Sequence, residues 1–491
     1  ALHAAWSKVL SECRHWLEST INVAAFSPVP EGWTGDWEAG WGANWKAAAL
    51  HSWEVFQGQG ATIAAAREAL KVNKRQRDWS LPNWTGESSS LSSAEAVARP
   101  TMARVVQPWL LDPDAAKKEA NQLLCQLRQK LGEAFAGENE EISLIELVKR
   151  LITYRPILKQ AFPLPGEGPL AETIVIDLLQ NFPRLTTRDP SADRQAADKD
   201  PPTESIIWFM ADGDGIGSHL QALAQSGQGE EDALRSFSRA IRHWSASLYS
   251  RVPLAMAEPL GDTSARKATV VYAGGDDVFG ALHESEPGQR DLTTADLWRW
   301  LETFPTLWAE AHQPQLTISM GLVWADAQVP QREALQHARD AEASAKARGK
   351  DRFALRLLYA SGNHLEWTCP WPWLQPLRAH YRDREGRQGP AATWRHLADD
   401  LAWLQDRQAI TPGTADALWE AYFPGCVLPP ANPTPVASGD RHCPSRQAPE
   451  PHRPFSLWLL DLGRVMAGLE KRRDRAEQVR ARTERLAEVA R

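Results

Sequence analysis

Two short apolar runs, each ending in aspartates set among glycines, constrain this chain more than anything else in it. Ile206-Ile207-Trp208-Phe209-Met210 leads into Ala211-Asp212-Gly213-Asp214-Gly215-Ile216-Gly217, and Val270-Val271-Tyr272 leads into Ala273-Gly274-Gly275-Asp276-Asp277-Val278. Runs of this length suit buried strands and are too short for most helices. The aspartates therefore belong at the rim of a sheet. Two such rims side by side collect the carboxylate oxygens that hard divalent cations such as Mg²⁺ or Mn²⁺ require.

The pattern around the acids gives the sheet its order. Strand 205–211 precedes a helix near 230–249, with Leu234, Phe237, Ile241, Trp244 and Leu248 on one face. Strands 268–273 and 277–282 form a hairpin around Gly274 and Gly275. A Trp-rich helix at 294–311 follows, then strand 315–324, a helix at 331–348 and strand 352–358, which closes the unit. This βαββαβαβ order predicts an α+β fold with a ferredoxin-like core, helices covering one face of an antiparallel sheet.

At 491 residues the chain is too long for a single core. Residues 1–110 are Trp-rich and irregular, with helices expected near 2–18 and 43–56, and residues 111–200 are helical followed by a linker. Leu123, Leu124, Leu127 and Leu131 form one stripe and Ile145, Leu147, Val148, Leu151 and Ile152 another, while Thr186–Ser205, with three prolines, reads as the linker. Residues 201–362 form the acid-bearing unit, and 363–491 read as a helical C-terminal domain broken by a Pro-rich loop near 424–454. In the first segment Lys74, Arg75 and Arg77 precede Trp79 and Trp84, a combination that can grip phosphates and stack on bases.

A net charge of −7 gives no overall attraction to nucleic acid, and no apolar run spans a bilayer, so no membrane role is expected. Five scattered cysteines without a CxxC pair suit a reducing cytoplasm. Cys426, His442, Cys443 and His452 match no zinc finger or ribbon spacing, so no zinc is expected.

Nucleotidyl transfer needs an activated hydroxyl, a polarised α-phosphate and a neutralised pyrophosphate, and two cations about 3.5–4 Å apart serve all three. Asp212, at the end of its strand, is placed to bridge both metals, Asp276 and Asp277 approach from the hairpin, and Asp214 supports them as a further metal-binding acid. Gly213, Gly215, Ile216, Gly217 and Ser218, with Gly274 and Gly275, form the turns a nucleotide approaches. Lys346 and Lys350, ending the helix before the closing strand, hold the triphosphate as point charges. An EF-hand starting at Asp212 would need an oxygen ligand at Ile216 and a glutamate at Leu223, and a dinucleotide fingerprint would need glycine at Ser218. Either cluster alone is compatible with an ordinary turn.

Tyr272-Ala-Gly-Gly-Asp-Asp-Val278, Ala211-Asp-Gly-Asp-Gly-Ile-Gly217, Ser319-Met-Gly321 and the run Ala338–Lys350 with Ser361-Gly362 resemble the second palm domain of the large subunit of type III CRISPR effector complexes, closest to the Cmr branch. The resemblance is strong over about 205–362 and loose elsewhere, with residues 1–110 similar to a remnant of the family's first palm. It implies a subunit that works with other effector subunits and crRNA, and that converts ATP into cyclic oligoadenylates when target RNA binds. It implies catalytic roles for Asp276 and Asp277, metal binding by Asp212, and phosphate contact by Lys346 and Lys350. No His-Asp dipeptide occurs in the chain, so the nuclease activity found in many relatives is not expected, nor is their four-cysteine finger. Two alternatives stay open: a non-catalytic scaffold that senses target RNA, and a diguanylate cyclase, whose Gly-Gly-(Asp/Glu)-Glu-Phe pattern the hairpin departs from.

Overall fold

A computed structural model describes residues 2–21, 41–42, 44–46, 48, 55–76, 87–90, 95–100, 113–131, 135–136, 140–152, 154–161, 206–225, 230–256, 268–283, 292–311, 316–326, 328–429 and 453–489. The chain divides into two compact units, 1–184 and 185–491. The expected helix near 43–56 falls largely outside the described residues, and the Thr186–Ser205 linker and most of the Pro-rich loop fall wholly outside them. Among the described residues no helix is long and apolar enough to cross a membrane.

The first unit contains α1 (Leu2–Thr20), α2 (Ile63–Arg75), α3 (Pro113–Leu131), α4 (Leu144–Leu151) and α5 (Arg155–Ala161). Leu123, Leu124 and Leu127 of α3 are buried and Leu131 is half-buried, and Leu144, Ile145, Leu147, Val148 and Leu151 of α4 are buried. A capping box starts α4: the Ser143 hydroxyl accepts from the Glu146 N–H while the Glu146 carboxylate accepts from the Ser143 N–H, satisfying two donors a helix start leaves unpaired. The described β-pairing in this unit consists of isolated bridges, Ser88 to Ala96 and Val97 to Ser143.

The second unit is built on β1 (Ile206–Asp214), α6 (Ile216–Gln225), α7 (Glu230–Ala255), β2 (Ala268–Gly274), β3 (Asp277–Leu282), α8 (Thr294–Ala309), β4 (Thr317–Ala325), α9 (Gln331–Ala347), β5 (Arg352–Leu358) and β6 (His364–Pro370). The strands lie in the order β2-β3-β1-β4-β5-β6. The first four are antiparallel throughout, which is the ferredoxin-like core the sequence predicts.

Two features depart from the expected sheet. It is mixed rather than antiparallel, because α9 carries the chain over from β4 to a parallel β5. It also does not close at β5: β6, in a region expected to be helical, pairs antiparallel with β5 from Arg352–Pro370 to Leu358–His364. The run His364-Leu-Glu-Trp-Thr-Cys-Pro370 has the alternation of a strand, with Trp367 and Cys369 buried on one face.

Helices cover both faces, not one. On one face Ile207, Phe209 and Ala211 of β1 join Ile241, Trp244 and Leu248 of α7 and Leu297, Trp300 and Leu301 of α8 in one apolar core. The Phe209 and Trp300 rings lie 4.5 Å apart, and the Trp244 indole N–H donates to the Leu307 carbonyl at 2.6 Å, tying α7 to α8. On the other face α9 buries Ala334, Ala338, Ala341 and Ala345. Opposite them stand Gly321 of β4 and Ala354 of β5, so small residues meet small residues and the helix backbone lies almost on the strands. Further helices, α10 (Leu374–His380), α11 (Arg395–Asp406), α12 (Pro412–Tyr422) and α13 (Phe455–Val489), follow the sheet. Trp458 of α13 is fully buried and donates to the Thr368 carbonyl of β6 at 2.7 Å, so these helices share the sheet's core.

Candidate functional site

Side chains of β1 alternate, and the register decides where the acids point. Ile207, Phe209 and Ala211 enter the core, so Met210, Asp212 and Asp214 fall on the α9 face, opposite Gly321, Ser319 and Thr317 of β4. The β2–β3 hairpin ends beside β1, with Gly274 paired to Asp277 and Ala211 to Val278. Gly275 takes a positive φ of 77°, which turns the chain at no side-chain cost.

Asp212, Asp276, Asp277 and Lys346 come together at this rim. Asp276 lies against the β1 backbone: a Cβ on Gly213 would stand 3.0 Å from the Asp276 Cβ and 2.6 Å from Ile216 Cδ1, so glycine is what lets the hairpin close on the strand. Burial raises the Asp276 carboxyl to about 6, and the neighbouring Asp212, both as a charge and as a hydrogen-bond partner, adds to the effect, while N–H groups of Asp276 itself and Gly213 pull it down. Burial also raises Asp277, with Asp212 adding repulsion and Lys346 opposing it. Lys346, from the end of α9, forms ion pairs with Asp212 and, at 2.7 Å, with Glu342 one turn earlier. Burial works against the Lys346 charge, but those two hydrogen bonds outweigh it and raise its pKa. Sequence reasoning missed Glu342, although its four-residue spacing from Lys346 was visible.

Asp214 occupies a different environment. It is buried, and its oxygens accept from Thr317 Oγ1 at 2.9 Å, from Ser319 Oγ at 2.9 and 3.0 Å, and from the Asp351 N–H at 3.0 Å. These bonds fasten the end of β1 to the turn after α9, where Gly349, Lys350 and Asp351 all have positive φ, at 127°, 61° and 49°. Left-handed conformations are costly for residues with a Cβ and persist only where the surroundings hold them. Lys350, exposed on this turn, is thus presented from a backbone that Asp214 secures. Thr317 carries no sequence signal of its own, and Ser319 is marked in the sequence only as part of the Ser319-Met-Gly321 motif; the β1–β4 register is what sets both beside Asp214.

Gly215, with φ 73°, and Gly217 have open space where a side chain would be, and Ile216, Gly217 and Ser218 form the first turn of α6. Sequence reading did not foresee α6. Its N-terminus adds backbone N–H groups and the positive end of a helix dipole beside the acids. Gly274 differs: a Cβ there would lie 1.9 Å from the Tyr272 hydroxyl, so the Tyr272 side chain folds over the hairpin and fills the space the glycine leaves.

Among the described residues no group of three or more His, Cys, Asp or Glu is arranged so that it could hold a metal ion. The donor chemistry nonetheless fits a hard cation: Asp212, Asp276 and Asp277 crowd together, two of them are held above the usual carboxylate range, and the cation among them is Lys346. In the first unit Lys74 and Arg75 are exposed at the end of α2, while Arg77, Trp79 and Trp84 lie outside the described residues, as do His442, Cys443 and His452.

No curated protein matches this chain. Among solved structures, Csm1 of T. onnurineus is similar at 16% identity with a TM-score of 0.33, over 54% of this chain and 38% of that one. A Csm1–Csm4 cassette in complex with cA4 is similar at 15% identity and a TM-score of 0.29, over 43% of this chain and 30% of that one. A Csm1–Csm4 subcomplex of the type III-A CRISPR-Csm interference complex gives 15% identity and a TM-score of 0.33, over 54% and 36%. The chain thus spans well under half the length of these structures. The stretch holding the whole acid rim and the closing helix, residues 206–354, matches the family model of the second palm domain of Cas10/Cmr2.

Proposed function

We propose that this chain is the large, Cas10-type subunit of a type III CRISPR effector complex, of the Cmr branch, and that its palm makes cyclic oligoadenylates from ATP when the crRNA-guided complex binds target RNA. The observation that carries the reading is the meeting of Asp212, Asp276, Asp277 and Lys346 at one rim inside a matched palm.

Asp212, Asp276 and Asp277 would hold divalent cations, with Mg²⁺ or Mn²⁺ the hard cations their oxygens suit. Such cations supply polarisation of the α-phosphate and activation of the attacking 3′-hydroxyl. The chain's own groups do the rest. Lys346 carries fixed positive charge to the rim, and a triphosphate arriving there competes with Asp212 and Glu342 for it. Lys350 adds a second charge from the left-handed turn, and the first turn of α6 offers backbone donors where Gly215 and Gly217 leave room. Without a bound cation, burial and the Asp212 charge keep the Asp276 carboxyl raised to about 6, so a cation arriving at the rim displaces its proton more readily as pH rises.

The assembled complex with ATP, Mg²⁺ and target RNA should yield cyclic oligoadenylate, and Asp276→Ala with Asp277→Ala should abolish it. Mn²⁺ or Mg²⁺ should also raise the melting temperature of the wild-type chain and not that of the double variant. Product from GTP instead of ATP would favour a cyclase of another type, and target-dependent assembly without any nucleotide product would leave a scaffold.

A further inference from the structure

We propose that a second, separate anion site lies at the opposite edge of the sheet, in a cleft that takes a phosphate-bearing ligand through arginines. The cleft has a volume of about 380 Å³ and is lined by Arg348 at the end of α9, Arg356 of β5, Arg453 just before α13 and Arg464 within α13. Strand β4 stands between β1 and β5, so strand spacing alone puts the cleft about 10 Å beyond the acid rim. Nothing in the proposed nucleotidyl transfer uses these residues.

Charge is the first reason for the assignment. Two carboxylates, Glu366 and Asp461, line the cleft against four guanidinium groups. Glu366 is shared by Arg356 at 2.5 Å and Arg348 at 2.8 Å, Arg453 pairs with Asp461, and Arg464 donates to Gln405 at 2.5 Å. Among the described residues, and counting Asp340 of α9, which reaches Arg356 at 3.5 Å, four guanidinium groups face three carboxylates, and Arg464 meets the neutral Gln405. A network serving only to fasten β6 to α13 would have no need of the surplus.

Two histidines adjoin Arg356. His337 and His364 pack edge to face at 4.8 Å beside Arg356. Burial, and after it the Arg356 charge, pushes both below the ordinary histidine value, while Glu366 and Asp340 oppose the shift.

Ligand class follows from the lining. Leu365 is the one apolar residue among those that line the cleft, which leaves a peptide no hydrophobic anchor. The cations are all arginine, and the planar guanidinium fork matches phosphate oxygens two at a time. The volume lies within the range of small-ligand sites, about 300–1,000 Å³, large enough for one or two phosphate groups.

The test uses the full chain in chelator, so that no divalent cation recruits phosphate to the acid rim. Pyrophosphate, a short single-stranded RNA and a polyglutamate peptide of equal charge are each titrated calorimetrically. Arg453→Gln with Arg464→Gln should weaken phosphate-ligand binding about tenfold, equivalent to about 1.4 kcal/mol, whereas Lys346→Met should not. Arg453→Lys with Arg464→Lys should keep more than half of the lost affinity, which separates charge from a loosened α13. Binding of both pyrophosphate and RNA would mean that free phosphate groups suffice; binding of RNA alone would assign the cleft to a strand. Equal affinity in wild type and the glutamine pair, or polyglutamate bound as tightly as the phosphate ligands, would overturn the proposal. Because catalysis is not read, failure here leaves the nucleotidyl-transfer reading intact.

Discussion

Replacing Gly321 with alanine should cost stability through one identifiable contact. A Cβ at Gly321 would stand 2.2 Å from the Glu342 N, 2.4 Å from the Ala338 carbonyl oxygen and 2.8 Å from the Ala341 carbonyl carbon, all backbone atoms of α9. No rotamer change relieves a clash with backbone, so α9 must withdraw by about 1 Å to restore ordinary separations. Overpacking of this kind costs about 1–3 kcal/mol, and the rigid partners place this case near the top of that range. Alanine recovers about 0.5–1 kcal/mol relative to glycine in a strand, leaving a net loss of about 2 kcal/mol. The withdrawn helix also carries Lys346 and Glu342 away from Asp212. Urea unfolding followed by tryptophan fluorescence measures the loss, and amide exchange over 331–347 localises it. Gly217→Ala, where the added Cβ meets nothing within 4 Å inside a helix, is the control and should be neutral or stabilising by up to about 1 kcal/mol. If Gly321→Ala unfolds at the same urea concentration as wild type, α9 does not rest on β4 as described.

Three further outcomes follow from the site. Because the folded Asp276 carboxyl titrates near 6, above its unfolded value of 3.8, the folded state holds its proton more tightly, and stability falls as pH rises between those values. In the absence of divalent cations Asp276→Asn should therefore melt higher than wild type at pH 7.5, by an amount equivalent to about 1 kcal/mol after allowance for solvent screening, and equally near pH 4. Asp214→Ala strips Thr317, Ser319 and the Asp351 N–H of their acceptor and should destabilise the chain by about 2–3 kcal/mol; Asp214→Asn should do so less, and in both variants KM for ATP should rise more than kcat falls if the role is to hold the Lys350 turn. Glu366→Gln leaves Arg356 and Arg348 facing each other without their shared carboxylate and should cost about 3 kcal/mol in a melting experiment, recovered in part by added phosphate if the cleft binds it.

How far the sequence could be read depends on what each signal encodes. The Ile206–Met210 run and the glycine hairpin marked strands because their apolar residues go into the core, and the alanine stripe of α9 marked a helix. Side-chain periodicity says which residues are buried, not on which side of a sheet a helix lies. The placement of α9 opposite α7 and α8 depends instead on Gly321, whose missing side chain opens that face. β6 was missed because its seven residues sit before a Pro-Trp-Pro-Trp turn and read as the start of an irregular segment, whereas hydrogen bonding to β5 makes it a strand. Asp212 and Asp214 lie two residues apart on one face, and the sequence reading assigns Asp212 the leading role and Asp214 a supporting one as metal-binding acids. Their surroundings, which the sequence does not encode, differ: Asp214 meets two hydroxyls and a backbone N–H, while Asp212 meets Asp276 and a lysine.

The same helix then accounts for both charged regions of the unit. α9 spends its inward face on alanines, which contribute little burial per residue but let it lie close to β4 and β5. That closeness sets its flanking charges within reach of the strands: Glu342 and Lys346 extend toward β1, and Ser344 and Arg348 extend toward Glu366 on β6. A larger residue at Ala341 or Ala345 would lift the helix, and both sets of contacts would lengthen together. Ala345→Leu should thus loosen the Lys346–Asp212 pair and the Arg348–Glu366 pair in one step, visible as faster amide exchange at the ends of β1 and β6. Loss at one edge with the other unchanged would mean that the two sites are held independently, and that α9 is not the element that couples their geometry.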